Sequence, residues 1–210
     1  AEKNITLKLS TTVESLDATN KSLVLSDGIT MSYDKLILAT GSSNFIPPIK
    51  GANAEGVFSI KDKEDALALR EYAKGKSKAV IIGGGVLGLE AADALQELGL
   101  QITVIEAAPR IMPRQLEESA SAFMQNILAT KNINLITEAS AQEIVVNSNK
   151  VTGVKVNNEL IEADLVVISV GVRANTGLAV SANITVDRGI VVNENMQTSV
   201  ADIYACGDVA

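Results

Sequence analysis

With 210 residues and 47% hydrophobic content, the chain is long enough to bury one large core or two small ones. A net charge of −7 with no offsetting basic run argues against nucleic acid and anionic membrane surfaces as partners, and no apolar stretch approaches the roughly 20 residues that cross a bilayer. Histidine is absent and Cys206 is the only cysteine, which argues against metal catalysis, a Ser-His relay, an internal disulfide and a Cys-x-x-Cys pair, and fits a cytoplasmic setting.

The sequence begins at Ala1 without an initiator methionine and shows no signal peptide, which predicts a processed or excised piece. Residues 1–42 read as a β-meander. Ile5 to Leu9 alternates apolar and polar residues, Val13 to Leu16 continues extended, and turn residues at 18–20 and 26–28 bracket a strand from Lys21 to Leu25. Lys35-Leu36-Ile37-Leu38-Ala39 predicts a buried strand ending in Thr40-Gly41-Ser42. Residues 44–58, with Pro47, Pro48, Gly51 and Gly56, predict a linker, and Asp62 predicts the N-cap of a helix running to Lys74.

Ala79-Val80-Ile81-Ile82 is short, β-branched and closed by glycine, the pattern of a parallel strand buried on both faces. From Val86 the apolar residues recur at helical spacing until Gly99, and Gln101 to Glu106 is the next strand. The spacing Gly83-x-Gly85-x-x-Gly88 supplies one glycine for a tight turn, one for close approach of a pyrophosphate and one for helix-to-strand packing. Glu106 stands 18 residues beyond Gly88, close to the offset at which an acid receives an adenine-ribose 2′-OH. A 2′-phosphate there meets like charge, so the residues point to NADH in preference to NADPH. Arg110 and Arg114 either soften that discrimination or are solvated charges after Pro109 and Pro113.

A loop from Ala107 to Arg114, a helix from about Leu116 to Lys131 and a strand at Ile133–Ile136 complete a βαβαβ order, one mononucleotide-binding half of a doubly wound parallel sheet. Residues 143–146 and 151–156 flank a turn as a hairpin or meander insertion, and Leu165 to Val170 reads as fully buried, ending at Gly171-Val172-Arg173-Ala174-Asn175-Thr176 on the ligand-binding edge. Ile184–Val186, Ile190–Val192 and Ile203 to Asp208 are the last extended runs.

Four separated motifs can now be taken together: Tyr33 to Gly41, the Gly83–Glu106 fingerprint, Gly171 to Asn175, and Ile203-Tyr204-Ala205-Cys206-Gly207-Asp208. In this order they resemble the FAD- and NAD(P)-dependent pyridine-nucleotide oxidoreductases over nearly the whole chain. The resemblance implies an NAD domain inserted into an FAD domain. The fold class expected is α/β, a Rossmann-like doubly wound parallel sheet with a β-meander, flanked by incomplete FAD-domain segments. Its divisions are a partial FAD segment at 1–43, the linker at 44–58, the NAD(H)-binding domain at 59–172 and a second partial FAD segment at 173–210.

By the same resemblance, Thr40, Gly41, Gly207 and Asp208 match the positions used against FAD. Asp208 also reads as a polar turn at a strand end. Gly83, Gly84, Gly85, Val86, Leu87, Gly88, Glu106, Arg114, Gly171 and Val172 match dinucleotide contacts. Glu90 matches a glutamate near the nicotinamide end, and equally reads as ordinary helix-dipole chemistry. The family commonly has Pro-Asn where this chain has Ala174-Asn175, which predicts a less rigid backbone there. A second glycine fingerprint, a C-terminal interface domain and a redox cysteine pair are missing, and Cys206 reads as a small buried hydrophobe. No residue takes a catalytic or metal-binding role.

The function implied is the NADH-binding portion of a flavoprotein oxidoreductase whose acceptor is a protein or metal centre, as in rubredoxin-reductase and nitrite-reductase-like branches. An NADH oxidase or coenzyme A-disulfide reductase fragment, a non-catalytic NAD-binding module and a purely structural domain are the alternatives.

Overall fold

Continuous β-branched runs are comfortable in the middle of a parallel sheet covered on both faces, and this is where they lie. The computed structural model describes residues 4–210. In chain order the strands are β1 (Val13–Asp17), β2 (Ser22–Leu25), β3 (Thr30–Ser32), β4 (Leu36–Leu38), β5 (Ser42–Asn44), β6 (Val57–Phe58), β7 (Lys78–Ile82), β8 (Gln101–Ile105), β9 (Ile133–Ile136), β10 (Ala141–Asn147), β11 (Lys150–Val156), β12 (Glu159–Glu162), β13 (Leu165–Ile168), β14 (Val172–Ala174) and β15 (Ile203–Ala205). The helices are α1 (Lys63–Ala73), α2 (Val86–Glu97), α3 (Glu118–Thr130) and α4 (Gly177–Ser181). The chain divides into two compact units: Asn44–Val172, and Ala1–Ser43 with Arg173–Ala210. Residues 1–3 of the predicted 1–43 segment lie outside the described residues.

In the Asn44–Val172 unit, five parallel strands run in the order β6-β13-β7-β8-β9. Alternate side chains face opposite ways. Ala79, Ile81, Leu165, Val167, Ile102 and Val104 join one core with Leu89, Ala92, Leu95 and Leu128 of the helices. Val80, Ile82, Val166, Ile168 and Ile105 join another with Ile144, Val154 and Val156 of the antiparallel sheet β10-β11-β12. Ile81, Val104, Val166 and Val167 are completely buried, each worth about 1.5–3 kcal/mol of transfer free energy. Helices on one face and a meander on the other therefore explain why these strands carry no polar alternation.

Local signals set the helix ends. Asp62 and Asp65 form a reciprocal capping box at the start of α1. Gly99, at φ +91°, ends α2 with paired bonds from Gly99 N–H to the Gln96 carbonyl and from Leu100 N–H to the Leu95 carbonyl. Asp164, just before β13, accepts the Ser77 and Lys78 amides at 2.8 and 3.0 Å, and those bonds, Ser77's first, hold its carboxyl below the ordinary range. The proline- and glycine-rich stretch 44–58 packs as part of this unit. Ile49, Ala52 and Ala54 enter its core, and the Lys50 and Glu55 carbonyls accept the Ile144 and Val151 amides.

The other unit holds the antiparallel meander β1-β2-β3 and the parallel pair β15-β4. Its core gathers Leu16, Leu38, Ala179, Ile184, Ile190, Ile203 and Val209. Three expectations are corrected here. Ile5 to Leu9 forms no strand: Ile5, Leu7 and Leu9 are 74–75% exposed, because among the described residues the alternating pattern finds no strand to pair with. The Lys35–Ala39 run is not buried on both faces, since Ile37 is 64% exposed. Ile184–Val186 and Ile190–Val192 meet through one bridge, Val186 to Ile190, instead of forming named strands. The helix α4 and the strand β12 were not anticipated.

Candidate functional site

The switch of strand order puts the end of β7 where an open α/β sheet binds its ligands: β8 and β9 lie to one side of β7 and β13 to the other. Gly83 turns the chain there at φ +112°, and a Cβ on it would lie 2.1 Å from the Ser169 carbonyl oxygen, so no other residue fits. A Cβ on Gly88 would lie 2.1 Å from the Gly83 oxygen, which brings α2 directly onto the turn. Gly85 differs. A Cβ there meets nothing within 4 Å, so this side of the turn is open.

Gly85 is also the N-cap of α2, with no side-chain cap and no acidic residue in the first turn. The first amide to find an intrahelical carbonyl is Leu89, bonded to Gly85, and among the described residues the Gly85, Val86 and Leu87 N–H groups have no acceptor. The start of α1 carries a capping box, and that of α3, although it too lacks a side-chain cap, carries Glu118 in its first turn, whereas α2 has neither. Here the donors and the positive end of the helix dipole are left for an anion.

Glu106 follows the end of β8. Its Oε2 accepts the Gly84 N–H at 2.6 Å and its Oε1 the Ala108 N–H at 2.7 Å, so the carboxylate is fixed beside the glycine turn. An ionised carboxylate offers about four acceptor sites, and the two that remain suit vicinal ribose hydroxyls. Gly84 itself is closed in by Ile111 and Glu106, and its carbonyl accepts the Met112 N–H at 2.9 Å. Ile111 is wholly buried and its carbonyl accepts the buried Ser121 hydroxyl, which holds the loop after β8 against the turn.

Ile168 pairs in register with Ile82, and Ser169 donates to the Ile82 carbonyl, so the segment carrying Gly171 and Val172 leaves the sheet next to the turn. Val86, Leu87, Val170 and Val172 are 40, 53, 39 and 52% exposed and give this end of the sheet an apolar rim. Glu90 is exposed one turn into α2, and Arg114 is exposed on the loop. Arg110 is turned back, its Nη2 donating to the Pro113 carbonyl while its buried Nε has no hydrogen-bond partner among the described residues.

The second cluster lies in the other unit and joins three of the motifs. Asn175 donates its backbone N–H to Gly41 O and its Nδ2 to Thr40 O, and accepts the Thr40 hydroxyl on its carbonyl and the Ser43 hydroxyl on Oδ1, at 2.8–3.0 Å. Ser42 donates to Asp208 Oδ2 at 2.8 Å. Gly41 and Gly207 have φ of +65° and +78° with open space where a Cβ would be. A hollow of about 580 Å³ beside Thr40 is lined by Leu36, Ile37, Asn175 and Leu178.

The family description "Pyridine nucleotide-disulphide oxidoreductase" matches residues 1–210. The chain belongs to that family. Among curated relatives, it is 43% identical to a nitrite reductase [NAD(P)H] of Bacillus subtilis, over 100% of this chain and 26% of the relative. It is 36% identical to a rubredoxin-NAD(+) reductase of Pseudomonas putida, over 99% of this chain and 54% of the relative. The crystal structure of a ferredoxin reductase for the CYP199A2 system from Rhodopseudomonas palustris superposes with TM-score 0.93 at 32% identity, covering 96% of this chain and 50% of that one. The chain thus spans about half or less of the length of these proteins.

Within this family member, Gly83–Gly88, Glu106, Gly171 and Val172 converge at the carboxyl end of one sheet, while Thr40, Gly41, Gly207 and Asp208 converge in the other unit. Among the described residues no bond brings Arg114 to the turn. At the departure from the family's Pro-Asn, the shared Asn175 is tied by side-chain hydrogen bonds to Ser43 and Thr40. Cys206 is exposed, not the buried hydrophobe expected, since it follows the last residue of β15. The supports supplied by Ile111, Ser121, Ser42 and Ser43 were missed. An Ile-Met pair between two prolines was a signal for the first; the serines gave none.

Proposed function

We propose that the chain is the NADH-binding portion of a flavoprotein oxidoreductase that passes hydride from NADH to FAD and electrons onward to a protein or metal-centre acceptor. The observation that carries this reading is the uncapped start of α2, open at Gly85 and flanked by the anchored Glu106 carboxylate. These residues fit a dinucleotide: the Gly85, Val86 and Leu87 amides hold the diphosphate, and Glu106 accepts the adenosine 2′-OH and repels a 2′-phosphate. Val170 and Val172 shield the nicotinamide end from water. Thr40, Gly41, Gly207 and Asp208 hold flavin in the larger protein, where their open glycines admit close approach. FAD, when bound, supplies the electron sink, and the chain contributes binding and orientation.

A lone exposed Cys206 offers no disulfide relay within this chain, and the relative named for rubredoxin supports a protein acceptor. A cytoplasmic setting goes with that reading. Among the described residues no helix is long and apolar enough to cross a membrane. The single glycine fingerprint in this sequence favours a second reading, in which these residues act as a non-catalytic NAD-binding module. Titration with NADH and NADPH, followed by incubation with FAD, decides between them. Saturable, NADH-preferring binding by the chain and a yellow, NADH-reducible whole gene product support the oxidoreductase; a gene product that stays colourless supports the module; no saturable NADH binding sinks both.

A further inference from the structure

We infer that Ser42 is a positioning residue: its buried hydroxyl fixes the Asp208 carboxylate so that the other oxygen, Oδ1, faces a hydroxyl-bearing chain of bound flavin dinucleotide. The inference rests on the flavin reading proposed above and adds a residue to it. Ser42 is 1% exposed and is one of three buried polar residues among the described ones, with Ser121 and Thr198. A buried hydroxyl is costly unless bonded, and alanine would fill much the same volume without that need. Ser42 meets the need by donating to Asp208 Oδ2 at 2.8 Å, across 166 positions of sequence.

Asp208 has no packing reason to be held. It is exposed, and among the described residues its Oδ1 takes no hydrogen bond. An exposed aspartate samples several rotamers, whereas one anchored through a single oxygen presents the other in a constant direction. The backbone beneath is already fixed: Val209 is wholly buried, its carbonyl accepts the Ile190 N–H at 2.6 Å, and Ala210 N–H donates to Gly207 O at 3.1 Å. Side-chain rotation is thus the freedom left to remove, and Ser42 removes it. Gly41 and Gly207, each beside one member of the pair, leave the approach clear of Cβ atoms. The class of ligand group is a polyol, whose hydroxyl donates to Oδ1 while Oδ2 remains with serine.

The test is a double-mutant cycle in the whole gene product that carries this chain, reading the dissociation constant for FAD by reconstitution of the apoprotein. Ser42→Ala weakens FAD binding roughly tenfold, Asp208→Ala weakens it at least as much, and the double variant binds no worse than Asp208→Ala alone. Losses that multiply in the double variant show that Ser42 acts apart from Asp208 and overturn the inference, as does unchanged affinity in Ser42→Ala. Should that variant not fold, Ser42→Cys, similar in size with a weaker donor, decides: weakened affinity supports the inference and unchanged affinity overturns it. A gene product that neither retains nor takes up FAD in unaltered form overturns the flavin reading itself, a result distinct from flavin binding indifferent to Ser42.

Discussion

Replacing Gly85 by alanine separates folding from binding more cleanly than any other change in this chain. At Gly85 the backbone has φ −81° and ψ −179°, which alanine adopts without strain, and the added Cβ meets nothing within 4 Å. The smaller entropy of the unfolded chain favours the variant by about 0.4–1 kcal/mol, and alanine is a poorer N-cap by a comparable amount. Net stability therefore stays within about 1 kcal/mol. The methyl group instead occupies the open side of the turn, where the diphosphate must come close to the backbone. Forcing a methyl into a filled site costs about 1–3 kcal/mol, which raises the Kd for NADH about 5- to 150-fold. Fluorescence titration with NADH, paired with urea unfolding, measures both quantities. A Gly85→Ala protein that binds NADH within a factor of about two of the unaltered chain refutes the placement of the diphosphate.

Gly88→Ala reverses the pattern: its Cβ would lie 2.1 Å from the Gly83 oxygen, so α2 must shift, and urea unfolding should show a loss of about 1–3 kcal/mol or more. Glu106→Ala removes the acceptor for Gly84 and Ala108 and the group that repels a 2′-phosphate; stability falls by about 1–3 kcal/mol and the ratio of NADPH to NADH Kd narrows, whereas an unchanged ratio means the ribose partner is elsewhere. Glu143 is held from its ordinary 4.5 down to about 2 by hydrogen bonds from Lys155 and Lys50. A carboxylate depressed by folding stabilises above its unfolded value and loses that contribution as pH falls toward 2. Glu143→Gln should flatten the stability profile between those limits, and a carboxyl resonance titrating near 4.5 in the native protein would contradict it.

The Asn44–Val172 unit was legible where local chemistry and tertiary structure agree. Ala79–Ile82 and Leu165–Ile168 carry no polar alternation because both faces are covered, and Asp62 and Gly99 mark helix ends through bonds to their own neighbours. Legibility failed where a partner decides. Nothing in Ile5 to Leu9 says whether a neighbouring strand exists, and Ile37 looks like a core residue until β4 is found to pair with β15. At the candidate site, the glycine spacing and Glu106 were readable because each glycine answers a local steric demand. The Ser42–Asp208 and Asn175–Thr40 contacts span 166 and 135 positions, and no periodicity encodes them. Ile111 closing over Gly84 left one local trace, an apolar pair between prolines, in a loop whose arginines read as solvated.

An NADH titration of the isotopically labelled chain, followed at the amides of Gly85, Val86 and Leu87 by nuclear magnetic resonance, bears most directly on the central assignment. The account predicts that these three resonances shift and saturate together, with NADPH moving them only at higher concentration. Saturable binding that leaves all three unmoved would contradict it.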